Sequence, residues 1–245
     1  MKKGRGYVWC YAAATVTMTI LFLGGIIVNK TVTALASDAI QATRTTVIID
    51  AGHGGIDGGA VSCTGVYEAH INLQISLKLQ DVFHLLGIQT KMIRTEDISV
   101  YTSGESIASK KVSDLKERVR MVNAIDNAIL ISIHQNYFAD SRYSGAQVFY
   151  NERDRILATQ IQNSFTGLLN SGSKRRPKIA KDIYIMEHIK CPAILIECGF
   201  LSNPPEECLL RTDTYQQKVC CVIAANISCY IHNDLTANQM VDIIK

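Results

Sequence analysis

The stretch "VIIDAGHGGIDGGAV", residues 47–61, decides the fold, because it joins an apolar run to a glycine-rich loop. Residues 46–50, TVIID, are β-branched or aliphatic up to the final aspartate, which predicts a buried strand. Four of the six residues after His53 are glycine, and so many together indicate close backbone approach or unusual backbone angles. Three interpretations compete: a tight turn with an incidental histidine, a dinucleotide-binding loop, or one arm of a metal site.

Apolar runs and helical patterns alternate along the rest of the chain. Strands are predicted at 46–50, 88–93, 127–133, 146–150 and 193–197. Helices are predicted over 66–86 and over 213–231. A third helix is predicted to begin with a cap at Asp114 and to have Leu115, Val119 and Val122 facing inward. The inward face of a fourth helix is marked by Leu157, Ile161, Phe165 and Leu168. This alternation predicts a single three-layer α/β domain, in which the ligand site lies at the carboxyl ends of the strands.

Polar residues follow or close three of the predicted strands. His53 comes just after residue 50, His134 just after residue 133, and Glu197 closes the strand 193–197. Glu68 stands in the first turn of the helix that follows the glycine loop. Taken alone, each residue could have a purely structural role, such as a hydrogen-bonded polar side chain or an acidic group that stabilises the helix dipole. Their joint placement predicts that they converge on one edge of the sheet.

These four residues match the needs of a catalytic zinc site. His53, Glu68 and His134 would supply the two imidazoles and one carboxylate that such a site takes, with the fourth position open. Glu197 would be left as a base. Asp50 or Asp57 would either orient His53 from behind or simply form a turn.

Other sites are disfavoured by spacing. A dinucleotide fingerprint starting at Gly52 would need glycine at position 57, where this chain has aspartate. His70, His84, His188 and His232 do not stand at strand ends. The cysteines, one in the apolar N-terminal run and seven beyond it, form no CxxC pair, which argues against a zinc-thiolate site.

Residues 1–36 form a separate N-terminal segment. After a basic start, residues 8–28 carry no charge and are long enough to span a bilayer as a helix. The segment also resembles an export signal with a small-x-small cleavage motif at residues 34–36. A membrane anchor and a cleaved signal both predict that the part from residue 45 to 245 is exported, with residues 37–44 as a linker.

The net positive charge of the chain comes from this N-terminal segment. Four of the 25 basic residues and none of the 22 acidic residues lie in 1–36, so the remainder is close to neutral. The formal charge of +3 therefore gives no indication of nucleic-acid binding. One local exception is KRRPKIAK, residues 174–181, which is either a solvated loop or a docking patch for an anionic polymer or a partner.

Four motifs occur in order: "IIDAGHGGIDGGAV", "GVYEAHINL", "ISIHQN" and "IECGFLSNP". They resemble the motifs of the zinc-dependent N-acetylmuramoyl-L-alanine amidases, the family-3 cell-wall amidases, over roughly residues 46–231. Residues 180–204 most resemble the spore-cortex, germination-associated members. Those members strip peptides from muramic acid so that muramic δ-lactam can form.

The resemblance implies a fold, a site and a reaction. The fold is an α/β domain with a six-stranded central sheet. The first three motifs supply zinc ligands, which fall on His53, Glu68 and His134, and the last supplies the catalytic glutamate, which falls on Glu197. The substrate is peptidoglycan, cut between N-acetylmuramic acid and L-alanine.

Two other classes of function stay open. One is a zinc peptidase or deacylase that acts on a different amide, and the other is a non-catalytic wall-binding protein that kept the fold. The chain shows no appended wall-binding repeat, so targeting falls to the N-terminal segment at the membrane, to a protein partner of unknown kind, or to the domain itself.

Overall fold

A sheet of six strands lies at the centre of the fold, in the order β2-β1-β3-β6-β4-β5. The computed structural model describes residues 45–244, with side chains described up to residue 233. The strands are β1 (Thr46–Ala51), β2 (Thr90–Met92), β3 (Ala128–Asn136), β4 (Gln147–Tyr150), β5 (Lys178–Ile179) and β6 (Ala193–Phe200). Neighbours among β1, β2, β3 and β6 pair in parallel, whereas β4 is antiparallel to β6 and parallel to β5.

Helices cover both faces of this sheet. They are α1 (Glu68–Leu85), α2 (Ile107–Asn123), α3 (Arg155–Leu168), α4 (Tyr184–His188), α5 (Pro204–Leu210) and α6 (Asp213–Ile244). Apolar residues of α1, α3 and α6 form one buried cluster with one face of the sheet. Val122 of α2 and Ile185 of α4 belong to a second cluster on the opposite face. The predicted three-layer α/β class with six central strands is confirmed.

Side chains of β6 alternate between the two faces, as expected for a strand. Ile194 and Ile196 belong to the cluster of α1, whereas Leu195 belongs to the cluster of α2 and α4. Glu197 therefore lies on the α2–α4 face, at the carboxyl end of the parallel strands.

The helix predicted to begin at Asp114 begins instead at Ile107, with Ser106 as its N-cap. The Ser106 hydroxyl accepts a hydrogen bond from the Ser109 amide at 3.1 Å, and the Ser109 hydroxyl accepts one from the Ser106 amide at 3.0 Å. This reciprocal cap satisfies two backbone donors of the first turn, so a serine-rich stretch that resembles a loop is helical. Asp114 lies inside the helix and accepts a hydrogen bond from Arg118 at 2.6 Å.

Two leucines predicted to face the core are exposed instead. Leu168 is 73% exposed at the last turn of α3, and Leu115 is 37% exposed on α2. The buried positions of α2 are Arg118 and Val122, so a charged residue shares its inward face. Val122 lies in the core and Val119 packs against it, as predicted, so Leu115 is the one predicted inward residue of α2 that is exposed.

The strands that carry two candidate site residues are longer than predicted. β3 continues two residues past His134, and β6 continues three residues past Glu197. Both side chains are therefore held by strand pairing on either side, with a register shift between His134 and Asn136. His134 and Glu197 therefore lie within strands and not in the loops that follow them.

The predicted N-terminal segment, residues 1–36, and the linker, residues 37–44, lie outside the described residues. Among residues 45–244, no helix combines the length and the apolar character needed to cross a membrane. The predicted export signal or anchor stays a prediction.

Candidate metal centre

Three side chains from different elements meet beyond the carboxyl end of β1. His53 lies in the loop after β1, Glu68 is the first residue of α1, and His134 lies near the end of β3. One ligand atom from each lies within 4.8 Å of the other two. Within the described part of the chain, this is the one group of His, Cys, Asp or Glu side chains arranged closely enough to hold a metal ion.

The Glu68 carboxylate lies at the centre of this cluster and is bonded through both oxygens. Oε1 accepts a hydrogen bond from the Gln135 amide at 3.1 Å and lies 3.0 Å from His134 Nδ1. Oε2 accepts one from the Ala60 amide at 3.0 Å and lies 3.3 Å from His53 Nε2. Burial would raise the pKa of Glu68, but the hydrogen bonds and charges of the two histidines hold it well below its usual range. Glu68 is therefore a carboxylate at neutral pH.

Two glycines allow the loop to fold this tightly. A Cβ atom at Gly52 would lie 2.2 Å from the His134 ring, and one at Gly59 would lie 2.6 Å from Glu68 Oε2. Both distances are shorter than Cβ contacts in real proteins. Gly59 also has a φ of +69°, and His53 itself has a φ of +61°. The glycines are therefore required by close approach to the site and by left-handed backbone.

Asp57 orients His53. Its Oδ2 accepts a hydrogen bond from His53 Nδ1 at 2.8 Å, and its Oδ1 pairs with Lys111 Nζ at 2.7 Å. Burial lowers the pKa of His53, but hydrogen bonds to Asp57 and Glu68 outweigh this effect and raise the pKa to about 10. Because ligating histidines commonly donate their second ring nitrogen to a carboxylate, Asp57 fits the orienting role considered for it from the sequence.

Asp50, the other aspartate considered for that role, serves a different purpose. It forms a buried ion pair with Arg118 and accepts a hydrogen bond from Ser132 Oγ at 2.7 Å. Arg118 also donates to the carbonyls of Ala51 at 3.0 Å and His53 at 2.6 Å. Asp50 therefore balances the charge of an arginine that holds the loop backbone.

A second buried arginine, Arg94, holds the same loop. It donates to the carbonyls of Ala51 at 2.9 Å, Gly52 at 3.1 Å and Ala69 at 2.8 Å. Neither arginine belongs to the four sequence motifs. Both could have been found in the sequence as arginines at positions where the local pattern predicts burial. Arg94 directly follows a predicted strand, and Arg118 stands on the predicted inward face of a helix.

Glu197 lies beside His134 in the parallel register of β3 and β6. Its Oε2 is buried and has no hydrogen-bond partner within residues 45–244. Burial raises the pKa of Glu197 to about 7, with His134 opposing the shift and Glu68 adding to it. A carboxyl group with this pKa exchanges protons readily near neutral pH.

The remaining polar candidates have other partners. His70 lies 3.1 Å from Asp97, His84 lies 2.9 Å from Thr90, and His188 lies 2.8 Å from the Tyr184 carbonyl oxygen. The seven cysteines between Cys63 and Cys229 are free thiols, and none belongs to the metal-ligand cluster. The described residues thus contain no zinc-thiolate site.

The chain matches one protein family over most of its length. The profile of the Amidase_3 family, described as N-acetylmuramoyl-L-alanine amidase, matches residues 47–229. A germination-specific N-acetylmuramoyl-L-alanine amidase of Bacillus subtilis (strain 168) is 34% identical over 189 residues, which cover 75% of this chain and 78% of that protein. The matched family segment contains all four candidate site residues.

Solved structures show the same likeness. The CwlD amidase of Clostridioides difficile, determined in complex with the GerS lipoprotein, is 36% identical and superposes with a TM-score of 0.74, covering 77% of this chain and 99% of that one. An N-acetylmuramoyl-L-alanine amidase of Clostridium difficile 630 is 30% identical with a TM-score of 0.67, covering 77% and 97%.

Replacing Arg118 by alanine is expected to lower the free energy of unfolding by about 3–5 kcal/mol, because it leaves the Asp50 carboxylate buried and unpaired. Urea denaturation measures the change. Arg120→Ala is the matched control, since Arg120 pairs with Glu117 on the exposed side of the same helix and should change stability little. Equal effects of the two substitutions would contradict the clamping role of Arg118.

Proposed function

The chain belongs to the Amidase_3 family and is an N-acetylmuramoyl-L-alanine amidase, and from this premise we propose that it works with one zinc ion. His53, Glu68 and His134 hold the metal, and the neighbouring Glu197 is the general base. The observation that carries the proposal is a set of three ligand atoms within 4.8 Å of one another, next to a carboxylate oxygen that is buried without a partner.

The donor set fits zinc better than other common metals. Two imidazoles and one carboxylate are a known ligand set of catalytic zinc, whereas magnesium and calcium prefer oxygen ligands throughout. The hydrogen bond from His53 to Asp57 supplies the outer carboxylate that such sites use to orient a histidine. When bound, zinc supplies a Lewis acid that polarises the amide carbonyl and lowers the pKa of water to about 7.

Glu197 moves the proton in this mechanism. Its carboxylate accepts a proton from the attacking water and passes it to the leaving nitrogen of L-alanine. Burial raises the pKa of Glu197, which strengthens it as a base, whereas a neighbouring zinc ion would lower that pKa. Its unpartnered Oε2 has lone pairs available for the transfer. Glu68 is unsuited to this role because both its oxygens accept hydrogen bonds that favour the ionised form.

The setting we propose is the spore cortex. The germination-specific relative supports this setting, in which loss of the peptide frees the lactyl carboxyl of muramic acid to close the δ-lactam. The predicted export of residues 45–245 by the N-terminal segment would deliver the enzyme to the cell envelope. The CwlD structure includes a lipoprotein, which supports a protein partner for this chain as well.

Replacing His134 by alanine is expected to remove most of the bound zinc and to abolish activity, because catalytic sites generally need three protein ligands. Zinc per protein is measured by mass spectrometry of the purified protein, alongside hydrolysis of peptidoglycan. His84→Ala is the control, since His84 is exposed and bonds to Thr90, and it should keep both properties. Normal zinc content in His134→Ala would overturn the ligand assignment.

Replacing Glu197 by glutamine keeps the shape of the side chain and the three metal ligands but removes the proton acceptor. We expect normal zinc content and a turnover lower by roughly a hundredfold to ten-thousandfold, equivalent to about 3–5 kcal/mol of barrier. Glu105→Gln, at an exposed position, should be fully active. Loss of zinc in Glu197→Gln would make Glu197 a ligand, and near-normal turnover would place the base elsewhere.

The cortex assignment is tested by complementation in a spore-forming host that lacks its own germination-specific amidase. Expression of this chain is expected to restore muramic δ-lactam in cortex fragments analysed by mass spectrometry. The Glu197→Gln protein should not restore it. If the unmodified protein releases stem peptides from purified peptidoglycan but restores no lactam in spores, the amidase assignment stands and the cortex setting is wrong.

A further inference from the structure

A positively charged groove of about 830 Å³ lies at the β4–β5 edge of the sheet. Its lining includes Gln147 of β4, the stretch Lys174–Arg176 and Lys178 of β5. The groove thus contains most of the basic segment 174–181, which from its sequence is either a solvated loop or a docking patch. Its volume is in the range of pockets that hold small ligands, roughly 300–1,000 Å³.

The positive charge of the groove is largely uncompensated. Lys174, Arg176 and Lys178 are exposed, and none of them forms a salt bridge with a described residue. The one acid in the lining, Glu206, is buried, and its carboxylate accepts hydrogen bonds from the Gly145 and Phe200 amides. An anionic ligand would therefore meet free cationic groups.

Arg175 is held in a defined position at the base of this groove. Its Nε donates to the Ser144 carbonyl at 2.7 Å, and its Nη1 donates to Gln147 Oε1 at 3.3 Å. The guanidinium lies over the Phe200 ring, 4.5 Å from the centroid. Nη2 makes no hydrogen bond within the described residues, so a pre-oriented donor stays available to a ligand.

One residue of the groove lining, Gln147, is the strand neighbour of Glu197. Glu197 is paired in register with His134 of β3 on one side and with Gln147 of β4 on the other. Ile133 and Val148 face the α1 cluster, so His134, Glu197 and Gln147 share the opposite face of the sheet. Adjacent strands are about 5 Å apart, and the hydrogen bond from Arg175 to Gln147 therefore joins the groove to this row.

We propose that this groove binds the carboxylates of the peptidoglycan stem peptide and so positions the peptide side of the substrate. The inference rests on the proposed function, because the stem peptide begins at the bond that is cut. Its acidic residues and its C-terminus carry carboxylates, for which a fixed guanidinium is a strong hydrogen-bonding partner. A groove of this size, with a lining residue that pairs with Glu197, suits a short peptide better than a long polyanion.

The test compares the double variant Lys174→Gln/Arg176→Gln with wild type on two soluble muramyl tetrapeptides, one with free carboxylates and one with the same carboxylates converted to amides. Both substituted residues are exposed and make no side-chain bond that supports the fold. On the free-carboxylate substrate, KM should rise roughly twofold to thirtyfold at unchanged kcat, the sum of two exposed charge contacts. On the amidated substrate, both constants should match those of wild type.

The control carries the same charge change elsewhere on the domain. Lys116→Gln/Lys218→Gln removes two exposed cations from α2 and α6 and should leave both substrates unaffected. The KM difference should also shrink between 0.1 and 0.5 M salt, where exposed charges are screened. Equal loss on both substrates would indicate a structural effect and would overturn the proposal.

Two further outcomes separate this inference from the proposed function. If the groove variant matches wild type on both substrates, the groove serves another anionic partner, such as an acidic protein, and the proposal is wrong while the amidase function stands. If wild type hydrolyses neither substrate, the proposed function fails. Fluorescence anisotropy of a labelled stem tetrapeptide then still tests whether the groove binds the peptide. Weaker binding to the groove variant than to wild type supports the proposal, and equal binding refutes it.

Discussion

The backbone carbonyls at the end of β1 need hydrogen-bond donors inside the protein, and this constraint organises the candidate site. Arg94 and Arg118 meet the carbonyls of Ala51 and Gly52, since buried carbonyls are rarely left unpaired. Burial lowers the pKa of Arg94, and the charge of Arg118 adds to that shift. Asp50 balances the second cation. A network of opposite charges therefore holds the loop that presents His53 to the other candidate ligands.

Three carboxylates near this loop differ in protonation because their hydrogen-bond partners differ. The hydrogen bond from His53 lowers the pKa of Asp57, and the histidines on either side of Glu68 lower the pKa of that group despite its burial. Glu197 has burial without such partners, and its pKa rises to about 7. Environments that separate the pKa values of neighbouring acids commonly divide them into a binding role and a proton-transfer role.

The mixed sheet explains how the basic groove is connected to the candidate centre. β1, β3 and β6 are parallel, so their carboxyl ends deliver the candidate ligands and base to one edge. β4 runs the other way and brings its first residue, Gln147, to the same edge next to Glu197. The connections that follow, through Arg175, then extend the polar row beyond the metal centre.

The sequence by itself determined the class of fold and the four candidate site residues, because continuous apolar runs such as residues 46–50 mark buried strands and because the motifs around them resemble one family. The tertiary structure decided which distant segments contact one another. Asp50 and Asp57 both stand within four residues of His53, and the left-handed turn at His53 decides which of them reaches its ring. The partner of Asp50, Arg118, lies 68 residues away, beyond the reach of any local pattern. Residues 174–181 are a charged stretch in the sequence, and the pairing of β5 with β4 places them across β4 from the strand that carries Glu197.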